Sequence, residues 1–469
     1  MANNDKGKRL IKNTFIVGLG SIASKGIIFL MAPLFSRWLS VEDYGSFDLI
    51  TTYVSLFLPF CTLSIAEAVF RFLLDDINES NKKKIVSSGI FVALAGYCVF
   101  MPIYWLVSLL WDKLYFGWPV FLLLFAQMLS TFFSEVARGI KKMGLYSLFS
   151  FVSVVLLSSL STIFLLVFKW GLNGIVLGYS IAYLITAAGL FVATKSYKLI
   201  SIKDINRESI SGMLKYSWPL IPNSISWWVV NVSDRLIINN FIGLAANGIY
   251  AVANKIPAIV NVLFSVFHIS WVQSASETAS DDDYAQYCNT VFNKLIPFIF
   301  SSAAVLVSAN FLFYRFFFDA TKYAEAYYYS PILIVAAGIS CVGQFMGGIM
   351  IAKKETKQNG ATNIVAAASN ILINLFMVRR FGLYAASVST LLAYLILVVC
   401  RYVMIQKHVK LHIDKKSLFV LALEIAVFIG VYFNKTIINV ALLCVTTLLF
   451  IVINKDLIER ILKTLLRRR

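Results

Sequence analysis

The sequence predicts an all-α polytopic membrane protein of about fourteen transmembrane helices, and three observations carry that prediction. Hydrophobic residues make up 59% of the 469-residue chain and charged residues only 14%, against about 25% charged in an ordinary soluble domain. Apolar runs recur about every 30 to 40 residues from Phe15 to Ile453, most of them longer than the ~18 residues that mark a spanning helix. The runs are continuous rather than alternating, which excludes the pattern of a transmembrane β-barrel.

Taken in order, the predicted spans fall near residues 13–35, 46–69, 85–110, 117–137, 145–168, 171–193, 214–241, 247–272, 290–313, 327–351, 360–378, 382–405, 417–434 and 436–453. The basic start, MANNDKGKR, holds the N-terminus in the cytoplasm. With that orientation, 28 of the 42 Lys and Arg fall on the inside, 8 outside and 6 within the predicted spans, three of these six near the inner ends. The bias fixes the topology with both termini cytoplasmic, and Asp281, Asp282 and Asp283 are its acidic exception. It also accounts for the net charge of +18 without a nucleic-acid partner. The first apolar run lacks a small-residue cleavage site, so no cleavable signal peptide is expected. The inside loops are all short, including 70–84, 138–144, 194–213, 352–359 and 406–416. They leave no room for a soluble catalytic domain, and no GxxxxGK[ST] phosphate loop occurs.

An internal repeat appears at a separation near 211 residues. WGLNGIVLGYSIAYLIT from Trp170 aligns without gaps on FGLYAASVSTLLAYLIL from Phe381. Lys141-Lys142 and Lys353-Lys354 precede the respective copies. An even number of spans separates the copies, so the halves share one orientation and are expected to be related by an axis along the membrane normal. All nine prolines lie in or beside apolar spans, Pro257 only two residues after Lys255. A kink is expected there.

Charges inside spans are expensive and mark candidate sites. Lys25 lies near the middle of the first span, about 15–18 Å from either end at 1.5 Å per residue. Asp234, Arg235 and Lys255 sit in the seventh and eighth spans. Asp234 and Arg235 point about 100° apart on a helix, so they cannot simply pair with each other. Further candidate cavity or gating charges are Asp48, Glu67, Arg71, Glu135 and Arg138. Glu67–Arg71 and Glu135–Arg138, spaced by four and three residues, fit interfacial ion pairs or snorkelling anchors better than cavity charges. Lys25, Arg235 and Lys255 against fewer deep carboxylates predict a cationic cavity suited to an anion. Trp218, Trp227, Trp228, Tyr250 and Trp271 crowd the same region and are candidates to stack on sugars, although interfacial belts explain most membrane Trp and Tyr.

Other signals are weaker. Asp75, Asp76 and Glu79 form an acidic cluster of the kind that holds Mg²⁺, and His408 and His412 are spaced i, i+4 as zinc ligands can be. Solvated loops account for both. His268 reads as a packed or cavity-lining residue. The six cysteines show no metal or CxxC spacing and read as small core residues. No metal or cofactor is expected.

PLFSRWLSVEDYGSFDL from Pro33, AEAVFRFLLDD from Ala66, and above all YSWPLIPNSISWWVVNVSDRLIINNFIGLAANGIYAVANKI from Tyr216 carry a resemblance. With them the whole chain resembles the polysaccharide (O-antigen or capsule type) flippases of the multidrug/oligosaccharidyl-lipid/polysaccharide exporter superfamily. The resemblance implies a six-helix lobe over 1–212, a second over 213–412 related by pseudo-twofold symmetry, and an extra helix pair and basic tail over 413–469. It implies an undecaprenyl-diphosphate-linked oligosaccharide as cargo, turned by alternating access from the inner to the outer leaflet of the bacterial cytoplasmic membrane. Related flippases place functional cations in their first and eighth spans, which here hold Lys25 and Lys255. Lysine stands where arginine is often found, and it acts as a point charge rather than a bidentate fork. The implied partners are membrane lipids, a polysaccharide polymerase and a chain-length regulator, with H⁺ or Na⁺ as the candidate coupling ion.

The rival readings are an ion-coupled drug or metabolite antiporter of the same superfamily and a polytopic glycan polymerase or prenyltransferase. The antiporter would favour buried carboxylates over buried cations. The enzymes would require a long outside loop or paired acidic motifs, and the sequence has neither.

Overall fold

The computed structural model describes residues 26–27, 29–75, 78–110, 117–319, 321–433, 435–456 and 459, and leaves the side chains of 75, 222–231 and 266 undescribed. Among these residues the chain is helical throughout, with two short 3-10 turns and no strand. After α1 (29–38) come α2 (Val41–Thr62), α3 (Ile65–Asp75), α4 (Glu79–Leu110), α5 (Trp118–Gly139), α6 (Met143–Leu166) and α7 (Gly171–Ala193). Then follow α8 (Arg207–Ser217), α9 (Leu220–Phe241), α10 (Leu244–Ala253), α11 (Lys255–Glu277), α12 (Tyr284–Phe316) and α13 (Ala326–Ala352). The chain closes with α14 (Thr356–Phe381), α15 (Leu383–Ile405), α16 (Lys415–Val431) and α17 (Thr436–Ile453).

Ten of these helices are long and apolar enough to cross a membrane, or eleven when α2 and α3 count as one bent span. The protein is therefore a multi-pass membrane protein. The predicted first span, 13–35, lies mostly outside the described residues. The predicted span 417–434 is realised as the 17-residue α16.

Local chemistry sets several boundaries. Ser40 caps α2 by accepting from the Asp43 amide, with Glu42 and Asp43 in the first turn, where the helix dipole favours acids. Asp414 caps α16 in the same way through the Ser417 amide. The predicted span 46–69 is not continuous. Pro59 removes a backbone donor inside α2, and Leu63 and Ser64 both take left-handed φ near 50°. The axis turns by 58° between α2 and α3. Gly96 of α4 lies against the Cys61 carbonyl at this bend, where a Cβ would collide with backbone.

The expected kink beside Lys255 is an interruption at Asn254, between α10 and α11. Likewise the predicted span 214–241 divides at Trp218-Pro219 into α8 and α9.

Two compact units divide the chain at Gly248/Ile249. In the first, α2 packs on α4, α5, α7 and α9. Its cores gather Leu49, Ile50, Tyr53, Leu123 and Leu124 in one cluster and Ile65, Val69, Phe132 and Val136 in another. In the second, α13 packs on α11, α12 and α15, and α12 receives α16 and α17. Trp271, Phe292, Phe345 and Ile349 are central to its core.

The repeat is legible in the backbone. Gly171 and Gly382, aligned by sequence, both adopt φ of +55° at the starts of α7 and α15. At the ends of α5 and α13, Lys141 (φ +63°) and Lys354 (φ +64°) are left-handed. The next amides, Lys142 and Glu355, reach back to the Ala137 and Met350 carbonyls. Both helices thus end in the same Schellman closure.

Candidate functional site

In the first unit, Arg235 on α9 meets Asp48 on α2, with Nε 2.6 Å from the carboxylate. The side chains are 16% and 12% exposed, so the pair is largely shielded from water. Close helix approach makes the meeting possible. Gly45, one turn before Asp48, accepts the Leu244 carbonyl where a Cβ would sit, and Gly248 does the same for the Val41 carbonyl. Asn247 fastens the contact by donating Nδ2 to the Gly45 carbonyl at 2.9 Å. Asp234 is buried on the adjoining face and engaged by its own neighbours. Arg235 is therefore not an uncompensated cation: the nearby carboxylate that the sequence placed only as a gating candidate neutralises it.

Glu135 and Arg138 pair on α5 at 2.7 Å, as their spacing of three suggested. The guanidinium also lies 4.2 Å from the Phe70 ring of α3 and 5.4 Å from that of Tyr146 on α6. This cation–π bracket ties three helices at one end of the unit. Glu67 and Arg71 stand exposed on α3.

In the second unit, Lys255 opens α11 at the Asn254 interruption, half-buried and engaged by neighbours. Lys25, the other expected cation, lies outside the described residues. The aromatic candidates divide. Trp271 is 3% exposed, stacks on Phe345 at 4.3 Å and donates Nε1 to the Phe345 carbonyl. Tyr250 is 1% exposed. Both serve as core residues here, with no open face for a sugar. Trp218 is exposed beside Pro219, and the side chains of Trp227 and Trp228 lie outside the described ones.

Of the weaker motifs, Asp75 ends α3 and Glu79 begins α4, with Asp76 outside the described residues, and the two histidines fall after α15. His408 bonds Glu355 at 2.6 Å, and Lys407 bonds the same oxygen at 2.8 Å. Those contacts hold the Glu355 carboxyl below the usual carboxylate range, with the Lys407 hydrogen bond the largest cause. His412 instead lies in an extended segment pinned to Asn289 and Asn293 of α12. The two histidines are not on one helix, so the zinc spacing does not form, and no metal-binding cluster occurs among the described residues. Asp283 ends the loop before α12. His268 is half-buried and bonded to the Gln344 main chain, the packed role expected of it.

Two buried charges had no part in the reading of the sequence. Arg401 of α15, 3% exposed, donates to Thr362 Oγ1 (3.1 Å), the Gly343 carbonyl (2.7 Å), Asn363 Oδ1 (2.8 Å) and the Asn359 carbonyl. Every acceptor is neutral. Gly347 leaves room for it, since a Cβ there would stand 2.7 Å from the guanidinium. Asn359 and Asn363 at i, i+4 and the Gly-rich stretch of α13 were the available signal. Glu424 of α16, 3% exposed, is the other.

Residues 10–272 match the model of a family described as polysaccharide biosynthesis protein. The chain belongs to that family. An uncharacterized membrane protein of Methanocaldococcus jannaschii is 22% identical over 407 residues, covering 82% of this chain and 94% of that one. Among solved structures, the fold is similar to the lipid II flippase MurJ in an inward closed conformation. The TM-score is 0.73 at 14% identity, over 95% of this chain and 100% of MurJ. A multidrug resistance MATE transporter in an inward-facing conformation superposes with TM-score 0.64 at 12% identity, over 87% of this chain and 98% of that one. The family member described here thus shares its fold with a lipid II flippase and a multidrug resistance transporter.

Proposed function

We propose that the protein is a flippase that moves undecaprenyl-diphosphate-linked oligosaccharide units from the inner to the outer leaflet of a bacterial cytoplasmic membrane, for surface polysaccharide synthesis. The observation that carries this reading is the pairing of a polysaccharide biosynthesis family with a fold shared, along nearly the whole chain, with a lipid II flippase. Lys25 and Lys255 capture the diphosphate as point charges, and the glycan crosses by alternating access. Arg235, already paired with Asp48, orients α9 on α2 and makes no separate claim on the phosphate.

The basic inside loops support a topology with both termini in the cytoplasm. An inside-negative potential then drives an anion outward by about 2.3 kcal/mol per charge per 100 mV. Polymerase and chain-length regulator act on the delivered units.

Cells that lack the chromosomal gene and carry a plasmid copy test the reading. Wild type restores surface polysaccharide. Lys25→Ala or Lys255→Ala lowers it by about tenfold or more, the loss of a charge-assisted contact, at unchanged protein level. Full polysaccharide in both variants contradicts the binding role.

A further inference from the structure

We propose that Glu424 is a proton-binding site in the seam between α12, α16 and α17, and that parting this seam releases the proton. Glu424 is the tenth residue of the 17-residue α16, 3% exposed, on the face that also buries Ser417, Val420, Val427 and Val431. Among the described residues neither carboxyl oxygen has a hydrogen-bond partner. An ionised carboxylate in that setting has lost its water and gained nothing in return, so the group is held as the neutral acid.

The register of the seam identifies what lies at the same level. Lys416 Nζ bonds the Ile453 carbonyl at one end of the helix pair. At the other, Tyr327 Oη joins the Val431 carbonyl and Asn439 Nδ2. Antiparallel counting between these ties brings Glu424 opposite Thr446. Thr446 donates to Ser308 of α12 at 3.3 Å, and Asn454 donates to Ser301 two turns away at 3.0 Å. The seam is thus lined by neutral hydroxyl and amide pairs, with one carboxyl in the stretch between the Ser301–Asn454 and Ser308–Thr446 pairs.

Among the described residues no cation shares that stretch. The titratable groups of α12 are Tyr284, Tyr287, Cys288 and Lys294 toward its start and Tyr314 and Arg315 toward its end. Arg315 is seven residues from Ser308, about 10 Å along the axis. On α16, Lys415 and Lys416 lie eight or nine residues from Glu424, and α17 contributes only Cys444, which is exposed. With no counter-charge within reach among the described residues, separation of α16 from α12 gives the carboxylate the solvation it requires. Proton loss and opening of the seam are therefore linked. The inference does not depend on the cargo.

Thermal unfolding of the full-length protein in detergent, wild type against Glu424→Gln, tests it between pH 5.5 and 8.5. Folding that holds a proton the unfolded chain gives up loses stability as pH rises. The midpoint of wild type therefore falls relative to Glu424→Gln by about 2 °C per pH unit. A constant difference across the range, or a wild type that gains on the variant as pH rises, overturns the proposal. If Glu424→Gln does not fold, mass spectrometry of wild type treated with dicyclohexylcarbodiimide decides, because that reagent attacks protonated carboxyls. An adduct on Glu424 at pH 7.5 supports the proposal, and its absence at that pH overturns it.

Discussion

Arg235 and Asp48 show how a buried charge changes meaning once its partner is known. The two are 187 residues apart in sequence, and no spacing rule joins them. Because both are shielded, removing one strands the other, at a cost of about 3–5 kcal/mol. Asp48→Ala and Arg235→Ala are each expected to lower the unfolding midpoint steeply. The double variant should recover part of the loss, and a double-mutant cycle measures the coupling. Additive losses would mean that the pair does not hold α9 on α2.

Glu355 gives a residue-scale test outside the membrane. Its carboxyl is held below its ordinary value of 4.5 by Lys407 and His408. A depressed acid contributes stability that is fully present above its unfolded value and is lost as pH falls through the folded one. Wild type is thus expected to lose ground to Glu355→Gln as pH drops below about 4.5, read from paired melting curves. Curves that stay parallel would remove the pair from the account.

At the scale of elements, much was legible and the rest was not for identifiable reasons. Apolar length placed most helices, because the bilayer requires long uncharged runs. The repeat in the 170 and 381 stretches anticipated the shared glycine conformation at 171 and 382. Breaks were harder. Leu63 and Ser64 bend the chain without a glycine to announce it, and Pro59 is four residues upstream. Trp271 was read by residue type as a sugar platform, whereas only tertiary packing shows its face covered by Phe345. Arg401 falls near the inner end of the predicted span 382–405, where the reading of the sequence left it out of the buried charges. Its partners, a hydroxyl, carbonyls and an amide, carry no charge pattern that singles it out.

The paired helix ends predict a stabilising change. Lys141 and Lys354 hold left-handed φ that disfavours a side chain by about 1–2 kcal/mol. Lys141→Gly or Lys354→Gly is expected to raise the melting temperature by a few degrees. A drop in both would show that the lysine side chains contribute more than the backbone strain removes. Both lysines are exposed, so the substitutions remove backbone strain with little lost packing.

At the scale of the molecule, two compact helical units and a family devoted to polysaccharide synthesis frame the proposed transport. The neutralisation of Arg235 narrows the proposed phosphate contacts to Lys25 and Lys255, and the burial of Trp271 and Tyr250 removes both as sugar platforms. Short loops leave the work to the membrane helices themselves.

The most direct measurement uses purified protein in sealed vesicles loaded with a polyprenyl-diphosphate N-acetylglucosamine that carries a fluorophore on the sugar. A reductant that cannot cross the bilayer quenches only the outer leaflet. With wild-type protein the protected inner-leaflet signal drains away, and with Lys255→Ala it persists as in protein-free vesicles. Wild-type vesicles that protect the inner leaflet as fully as protein-free ones would contradict the account.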